Sequence, residues 1–337
     1  MKSKQYYYRQ LKRNPITYIR IGVNIAFVLF SIYLGLVFFQ FYLHFTSDTP
    51  MPYVERPSAV EAFLPVSAMM GFKVWITTGE FDPIHPAGLV LFTFFVGSGL
   101  LFRRSFCSWI CPMGTFSEWV GILGKKIFKR NFDLPRWITW LLFPIKYLLL
   151  GFLLYMVITM PVDAVIGFLV SPYNIISDVK MLQYFINIGG VTLLILSIVF
   201  IFSLFFKNFW CKFLCPYGAL IGLGSLFGIT RITRNEANCG SCNQCTRSCP
   251  QGIKVAEKKA VLTPECSACM QCVEACPIKN TLIVKVGPKK VNKWVIPVCF
   301  FVVFTVVVMT AKLTGHWNTI LTYEHFKELI PWADQIH

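Results

Sequence analysis

The sequence predicts an all-α polytopic membrane bundle of five transmembrane helices, with a small α+β domain inserted between the fourth and the fifth. Three observations predict it. Hydrophobic residues make up 55% of the 337 and charged residues only 14%, against roughly 25% charged in a soluble domain. Five apolar runs approach the ~20 residues that a helix needs to cross a bilayer. A polar stretch between the last two runs carries eight of the 13 cysteines. This composition excludes an ordinary soluble enzyme, a disordered tail and a secreted disulfide mini-protein. The net charge of +16 would suit nucleic acid, but basic residues beside membrane helices account for it, so no nucleic-acid partner is expected.

The five runs cover residues 21–42, 85–102, 137–160, 189–206 and 294–312. The first is too long for a cleaved signal peptide and reads as a retained span. Residues 1–20, 103–136 and 207–293 together hold 26 basic against 6 acidic residues, whereas the alternate connections hold 5 basic against 10 acidic. Basic loops stay on the cytoplasmic side. The expected layout is therefore a basic cytoplasmic N-terminus (1–20), a four-helix membrane domain (21–230), a cytoplasmic domain (231–290), a fifth span (291–313) and an outer tail (314–337). The expected location is a bacterial cytoplasmic membrane. His44, His85, His316, His325 and His337 would lie outside, and twelve of the thirteen cysteines at or near the inside. Cys299, alone in the fifth run, reads as a small core residue.

Residues 239–250 read CGSCNQCTRSCP and residues 266–277 read CSACMQCVEACP. Each is C-x2-C-x2-C-x3-C-P, the bacterial-type ferredoxin signature for a [4Fe–4S] cluster, in which the fourth cysteine serves the other cluster. The spacing assigns Cys239, Cys242, Cys245 and Cys276 to one cluster and Cys266, Cys269, Cys272 and Cys249 to the second. Two zinc sites would need only paired C-x2-C units. Thiols on the reducing side of a membrane are metal ligands more often than disulfides. The TLIVKV segment that follows fits a closing strand. Such clusters carry electrons singly, so a two-electron donor must meet a one-electron acceptor.

A second repeat lies in the membrane part. FRRSFCSWICPMGTF (102–116) and FKNFWCKFLCPYGAL (206–220) share C-x3-C-P-x-G, in 107–112 and 211–216. On a helix, residues four apart share a face, so Cys107 would point with Cys111 and Cys211 with Cys215. Pro112 and Pro216 disfavour a straight continuation. Three readings stand for the four thiols: ligands of a metal or an additional iron–sulfur centre, a redox dithiol pair, or packing. Arg103, Arg104, Lys207 and Lys212 beside them would favour thiolate.

Paired C-x3-C-P motifs in a multi-span bundle, followed by two ferredoxin motifs, resemble the polyferredoxin membrane quinol-dehydrogenase family (NapH and C-terminal NosR type, more distantly CcoG type). The likeness covers about residues 15–287, including the outer segment 56–92. It implies electron transfer between the quinone pool and iron–sulfur clusters, with a heterologous redox protein as partner. NosR-type proteins carry an N-terminal flavin-binding domain, and here the first span begins almost at once. A fifth span after the ferredoxin domain is similar to the CcoG type, linked to copper reduction, but only about 25 residues follow it.

A quinol oxidant needs an amphipathic pocket and a proton acceptor. Lys146, the one charged residue deep in a run, is a candidate because an intramembrane ion is costly unless it functions. Glu61, Glu80, Asp82 and His85 in the first outer connection are further candidates, and residues 60–78 read as an interfacial amphipathic helix. An outer quinol site would stand ~30 Å from inner clusters, so either the quinone binds near the inner motifs or another cofactor bridges the gap. There is no haem-attachment C-x-x-C-H and no nucleotide-binding glycine loop. The expected function is membrane-bound iron–sulfur electron transfer linking quinone, as substrate, to a reductase or maturation complex. The alternatives are a copper-, iron- or dithiol-reducing assembly factor, and a non-catalytic anchor for a redox partner.

Overall fold

A computed structural model describes residues 15–47, 49, 51–129, 132 and 135–336. Most of the basic N-terminus (1–14), part of the connection after residue 129, and His337 therefore lie outside the described residues. The chain is mostly helical. Three helices are long and apolar enough to cross a membrane: Pro15–Thr46, Trp137–Thr159 and Val295–Leu313. Ser177–Ile186 and Gly190–Phe205 would form a fourth span only as one broken helix, bent by 81°. The apolar helix Pro86–Phe102 has 17 residues, about 25 Å at 1.5 Å per residue. It stops because Arg103 takes a left-handed backbone, φ 57°, which an α-helix cannot continue.

The chain divides into two compact units: residues up to 28, 95–149 and 197–303 form one, and residues 29–94, 150–196 and 304 onward form the other. The first holds all thirteen cysteines and the second all four described histidines. Cys299, expected in a core, is exposed on its apolar helix.

In the first unit a four-stranded antiparallel sheet has the order β2-β1-β3-β4, with β1 Thr230–Arg234, β2 Ala260–Val261, β3 Leu282–Val286 and β4 Lys289–Val291. β3 is the strand read from TLIVKV. Ile232 faces Val284 on one side and Val261 on the other. These apolar residues bury one sheet face against Cys245, Cys249, Cys266 and Cys272. The thiols are thus part of the core.

In the same unit the helix Pro112–Phe128 buries a face of small residues, Thr115, Ser117, Gly121 and Gly124, and exposes Phe116, Ile122 and Ile127. A Cβ on Gly124 would come within 1.7 Å of the Leu204 carbonyl oxygen, so the two backbones touch only because position 124 has no side chain.

The second unit packs Phe38, Phe41, Val60, Ile176, Val179, Phe326 and Ile330 into one core. The tail supplies Phe326 from the helix Tyr323–Leu329, and His44 Nε2 lies 3.0 Å from the Tyr323 hydroxyl. The expected interfacial helix 60–78 is two pieces, a 3-10 turn Ser58–Phe63 and a helix Pro65–Thr78. Proline at the first position of the second piece starts a new helix rather than extending the old one.

Gly124→Ala should cost about 1–3 kcal/mol, the usual penalty of overpacking, and lower the melting temperature in detergent. Gly151→Ala, with nothing within 4 Å of its Cβ, should leave it unchanged.

Candidate functional site

The two ferredoxin-type arrays fold alike. In the first, Ser241 and Asn243 have positive φ, 51° and 57°; in the second, Ala268 and Met270 occupy the same places with 46° and 61°. Left-handed alanine and methionine are unfavourable and persist where the surroundings require them. Alternating left- and right-handed residues turn successive N–H groups into a concavity, the nest that receives anionic groups such as iron–sulfur clusters.

Two cavities lie at these turns. One, with an empty volume of about 330 Å³, is lined by Cys249, Cys266, Cys269 and Cys272. The other, about 360 Å³, is lined by Cys239, Cys242, Cys245 and Cys276. Each takes three sulfurs from one array and one from the other. The first set is buried throughout, whereas in the second Cys242 is exposed and Cys239 and Cys276 are half-buried. Burial and the neighbouring Cys269 push the Cys249 thiol up to about 12. At the second cavity the Ser241 N–H and the Arg234 guanidinium lower that of Cys239. Among the described residues no three His, Cys, Asp or Glu side chains converge as one metal ion would need. A four-iron cluster asks for something else, one thiolate on each of four separate irons. The sulfur donors and the nests together fit such a cluster in both places.

The C-x3-C-P motifs share a second construction. Each follows an apolar helix through one left-handed residue, Arg103 or Asn208. Each closes with an N–H bonded five residues back: Cys111 N to Phe106 O and Cys215 N to Trp210 O, both 3.0 Å. This widened π-type turn is frequent at functional sites. Pro112 and Pro216 then open new helices, with Cys111 and Cys215 as extended N-cap residues. The thiols of each pair stay neighbours as expected, but across a helix break before the proline rather than on one continuous helix face. Gly218 N donates to Cys215 Sγ at 3.2 Å, and a Cβ on Gly114 would meet the Cys107 carbonyl at 2.3 Å.

Arg104 interacts with Cys107, Cys211 and Cys215, and Cys111 with Cys107 and Cys215. The Arg104 guanidinium is 1% exposed. It bonds to Cys107, and its Nε and Nη1 have no hydrogen-bond partner. A buried cation without a carboxylate requires other negative charge nearby, and the four sulfurs are its neighbours. Burial opposes the charge on Arg104, and the sulfurs more than offset this. Burial pushes the thiols of Cys111, to about 12, and Cys211 upward.

Lys146 is 1% exposed and donates to Glu265 Oε1 at 3.1 Å, one residue before Cys266. Arg103 donates to the carbonyls of Thr230 (3.2 Å) and Thr263 (2.6 Å). Ser108 donates to that of Ser267 at 3.2 Å. These bonds fasten segment 263–267 to the ends of the apolar helices. Arg20, paired with Glu118, stands within electrostatic range of Cys269.

In the second unit the structure joins three of the proposed proton groups and leaves one out. Arg56 Nε donates to Asp178 Oδ2 at 2.6 Å and Nη1 to Glu61 Oε1 at 2.8 Å. His85 Nε2 donates to the Asn174 carbonyl at 2.7 Å, and Nδ1 lies 3.6 Å from Glu61 Oε1. Asp82 Oδ1 accepts from Ile84 N and His85 N, while its Oδ2 is buried without a partner. Burial pushes the Asp82 carboxyl up. Glu80 stays exposed. Arg56 and Asp178, the residues that tie this network together, carried no motif that would single them out.

A family model described as a 4Fe-4S binding domain matches residues 84–131 and 188–232, the two C-x3-C-P repeats, and one described as a 4Fe-4S dicluster domain matches 231–277. The "Putative electron transport protein YccM" of Escherichia coli is 36% identical over 331 residues, 96% of this chain and 92% of its own length. The ferredoxin-type protein NapH of Escherichia coli is 31% identical over 44% of this chain and 48% of its own length. The regulatory protein NosR of Pseudomonas aeruginosa is 28% identical over 49% of this chain and 22% of its own length. No solved structure matches. With both kinds of cysteine repeat inside matched segments and one relative aligned nearly end to end, the chain belongs to the polyferredoxin-type 4Fe–4S membrane proteins, a ferredoxin-type electron-transport family.

Proposed function

We propose that this protein links the quinone pool to a partner reductase or maturation complex through two [4Fe–4S] clusters. The observation that carries the reading is the pair of cysteine-lined cavities, one with four buried cysteines and one with an exposed cysteine. In this reading Cys249, Cys266, Cys269 and Cys272 hold the inner cluster, and Cys239, Cys242, Cys245 and Cys276 hold the outlet cluster. Bound clusters supply one-electron transfer. Arg103, Ser108 and the Lys146–Glu265 pair fix the segment that bears Cys266 against the helix ends. The exposed Cys242 marks the side on which a redox partner docks.

The reading extends to Cys107, Cys111, Cys211 and Cys215 as ligands of a further thiolate-bound centre. Its support is the buried Arg104 guanidinium, which has sulfurs and no carboxylate as its anionic neighbours, and the 4Fe-4S model that matches both repeats. It also includes five spans in a bacterial cytoplasmic membrane, with the ferredoxin domain inside, on the strength of the charge asymmetry. The network of Glu61, Asp82 and His85 then handles the protons of quinol. Because His85 Nε2 is committed to a carbonyl, an arriving proton is held at Nδ1, which lies 3.6 Å from Glu61 Oε1 and 3.5 Å from Arg56 Nη2, so Glu61 must offset the guanidinium.

Anaerobic preparations should contain about eight iron atoms per chain for two four-iron clusters and about twelve with a third. A menaquinol analogue should reduce the clusters, read by EPR. Clusters that dithionite reduces and the quinol does not would end the quinone link. Cys249→Ala and Cys276→Ala should each erase a different EPR signal, and loss of the same signal in both would refute the crossed ligation. Cys107→Ser should spare both signals and lower turnover. Lys146→Met should cost about 3–5 kcal/mol by leaving Glu265 buried and unpaired. Adding Glu265→Gln should restore part of the lost melting temperature.

A further inference from the structure

A third cavity, with an empty volume of about 530 Å³, lies in the cysteine-bearing unit and is used by nothing above. Lys125, Lys207 and Arg247 line it, from three separate stretches of chain. Among the described residues none of the three has a carboxylate within ion-pair distance. The one carboxylate on the wall, Glu118, is already bound by both terminal nitrogens of Arg20. The cavity therefore presents three uncompensated positive charges.

Its position defines the ligand further. Lys207 follows the apolar helix Gly190–Phe205 by two residues, and Lys125 ends the helix Pro112–Phe128. Ile122, which belongs to the exposed apolar face of that helix, forms part of the rim. Phe128 stacks on Phe205 at 4.7 Å, so the two chain segments that carry Lys125 and Lys207 are joined by apolar contact. An aqueous anion would satisfy the cations and have no use for the apolar rim. An amphiphile with a phosphate head satisfies both. Asn208, 2% exposed, lies on the same wall with its Oδ1 unpartnered, an acceptor for a headgroup hydroxyl.

We propose that this cavity holds the phosphate headgroup of an anionic phospholipid. Basic pockets at the cytoplasmic end of membrane helices bind such headgroups. Cys249, a buried member of one sulfur quartet, is on the wall. The proposal rests on the helices entering a membrane and is independent of the quinone reading.

The test uses the full chain, iron-loaded, stripped of lipid in detergent and returned to nanodiscs. The discs contain either phosphatidylcholine alone or phosphatidylcholine with phosphatidylglycerol. Native mass spectrometry after mild detergent extraction should find one phosphatidylglycerol retained by the wild type. The variant K125Q/K207Q/R247Q should bind it on the order of a hundredfold more weakly, from about fivefold per cation, at unchanged iron content and melting temperature. If the triple variant does not accumulate, Lys125→Gln alone should weaken retention about fivefold. Equal retention by wild type and variant, or of phosphatidylcholine and phosphatidylglycerol, overturns the proposal. Displacement of the lipid by millimolar inorganic phosphate also overturns it, and makes the site one for a free anion.

Discussion

Among the described residues four cations lie buried in the cysteine-bearing unit, and the need to neutralise each of them organises everything around it. Arg20, Arg103, Arg104 and Lys146 are each 1% exposed. An unpaired ion in such surroundings would cost many kcal/mol, so each position dictates a partner. Arg20 takes Glu118 and Lys146 takes Glu265. Arg103 takes two carbonyls, and Arg104 has sulfur. Three of these partners lie in or beside the cysteine segments. Charge neutralisation and cofactor housing are therefore one problem in this protein. The module cannot separate from the helix ends without exposing or stranding a charge.

The two kinds of cysteine repeat solve different geometric problems. The ferredoxin-type arrays bend the chain around a volume, and they do so with left-handed residues at matched positions, including Ala268 and Met270, where glycine would be easier. The C-x3-C-P repeats redirect a helix. A π-type closure followed by a proline start turns the chain within four residues and leaves the second cysteine at a helix N-terminus. Glycine is needed only where another atom stands in the way of a side chain, as the Cys107 carbonyl does at Gly114.

Much of this was legible in the residues, because the signals were local. The cysteine spacings, the apolar runs, the proline breaks and the strand after the second array are all patterns within a dozen positions. What escaped is long-range or depends on exact length. Lys146 stood out as a buried ion, but its partner is 119 residues away in a loop. Arg56 and Asp178 are 122 apart and joined only in the folded chain. Hydropathy placed the end of the second run at residue 102, where the helix does stop, but it could not foresee that the helix Gly190–Phe205 meets the preceding helix Ser177–Ile186 at an 81° bend. Helical periodicity paired Cys107 with Cys111, and they are neighbours, but the proline divides that helix in two between them.

The unequal shelter of the two sulfur quartets also decides how the molecule ages. Cys242 meets solvent, whereas Cys249, Cys266, Cys269 and Cys272 are all buried. Oxygen and peroxide therefore reach Cys242 first, and thiolate oxidation follows exposure. Damage begins at the exposed quartet and reaches the buried one last.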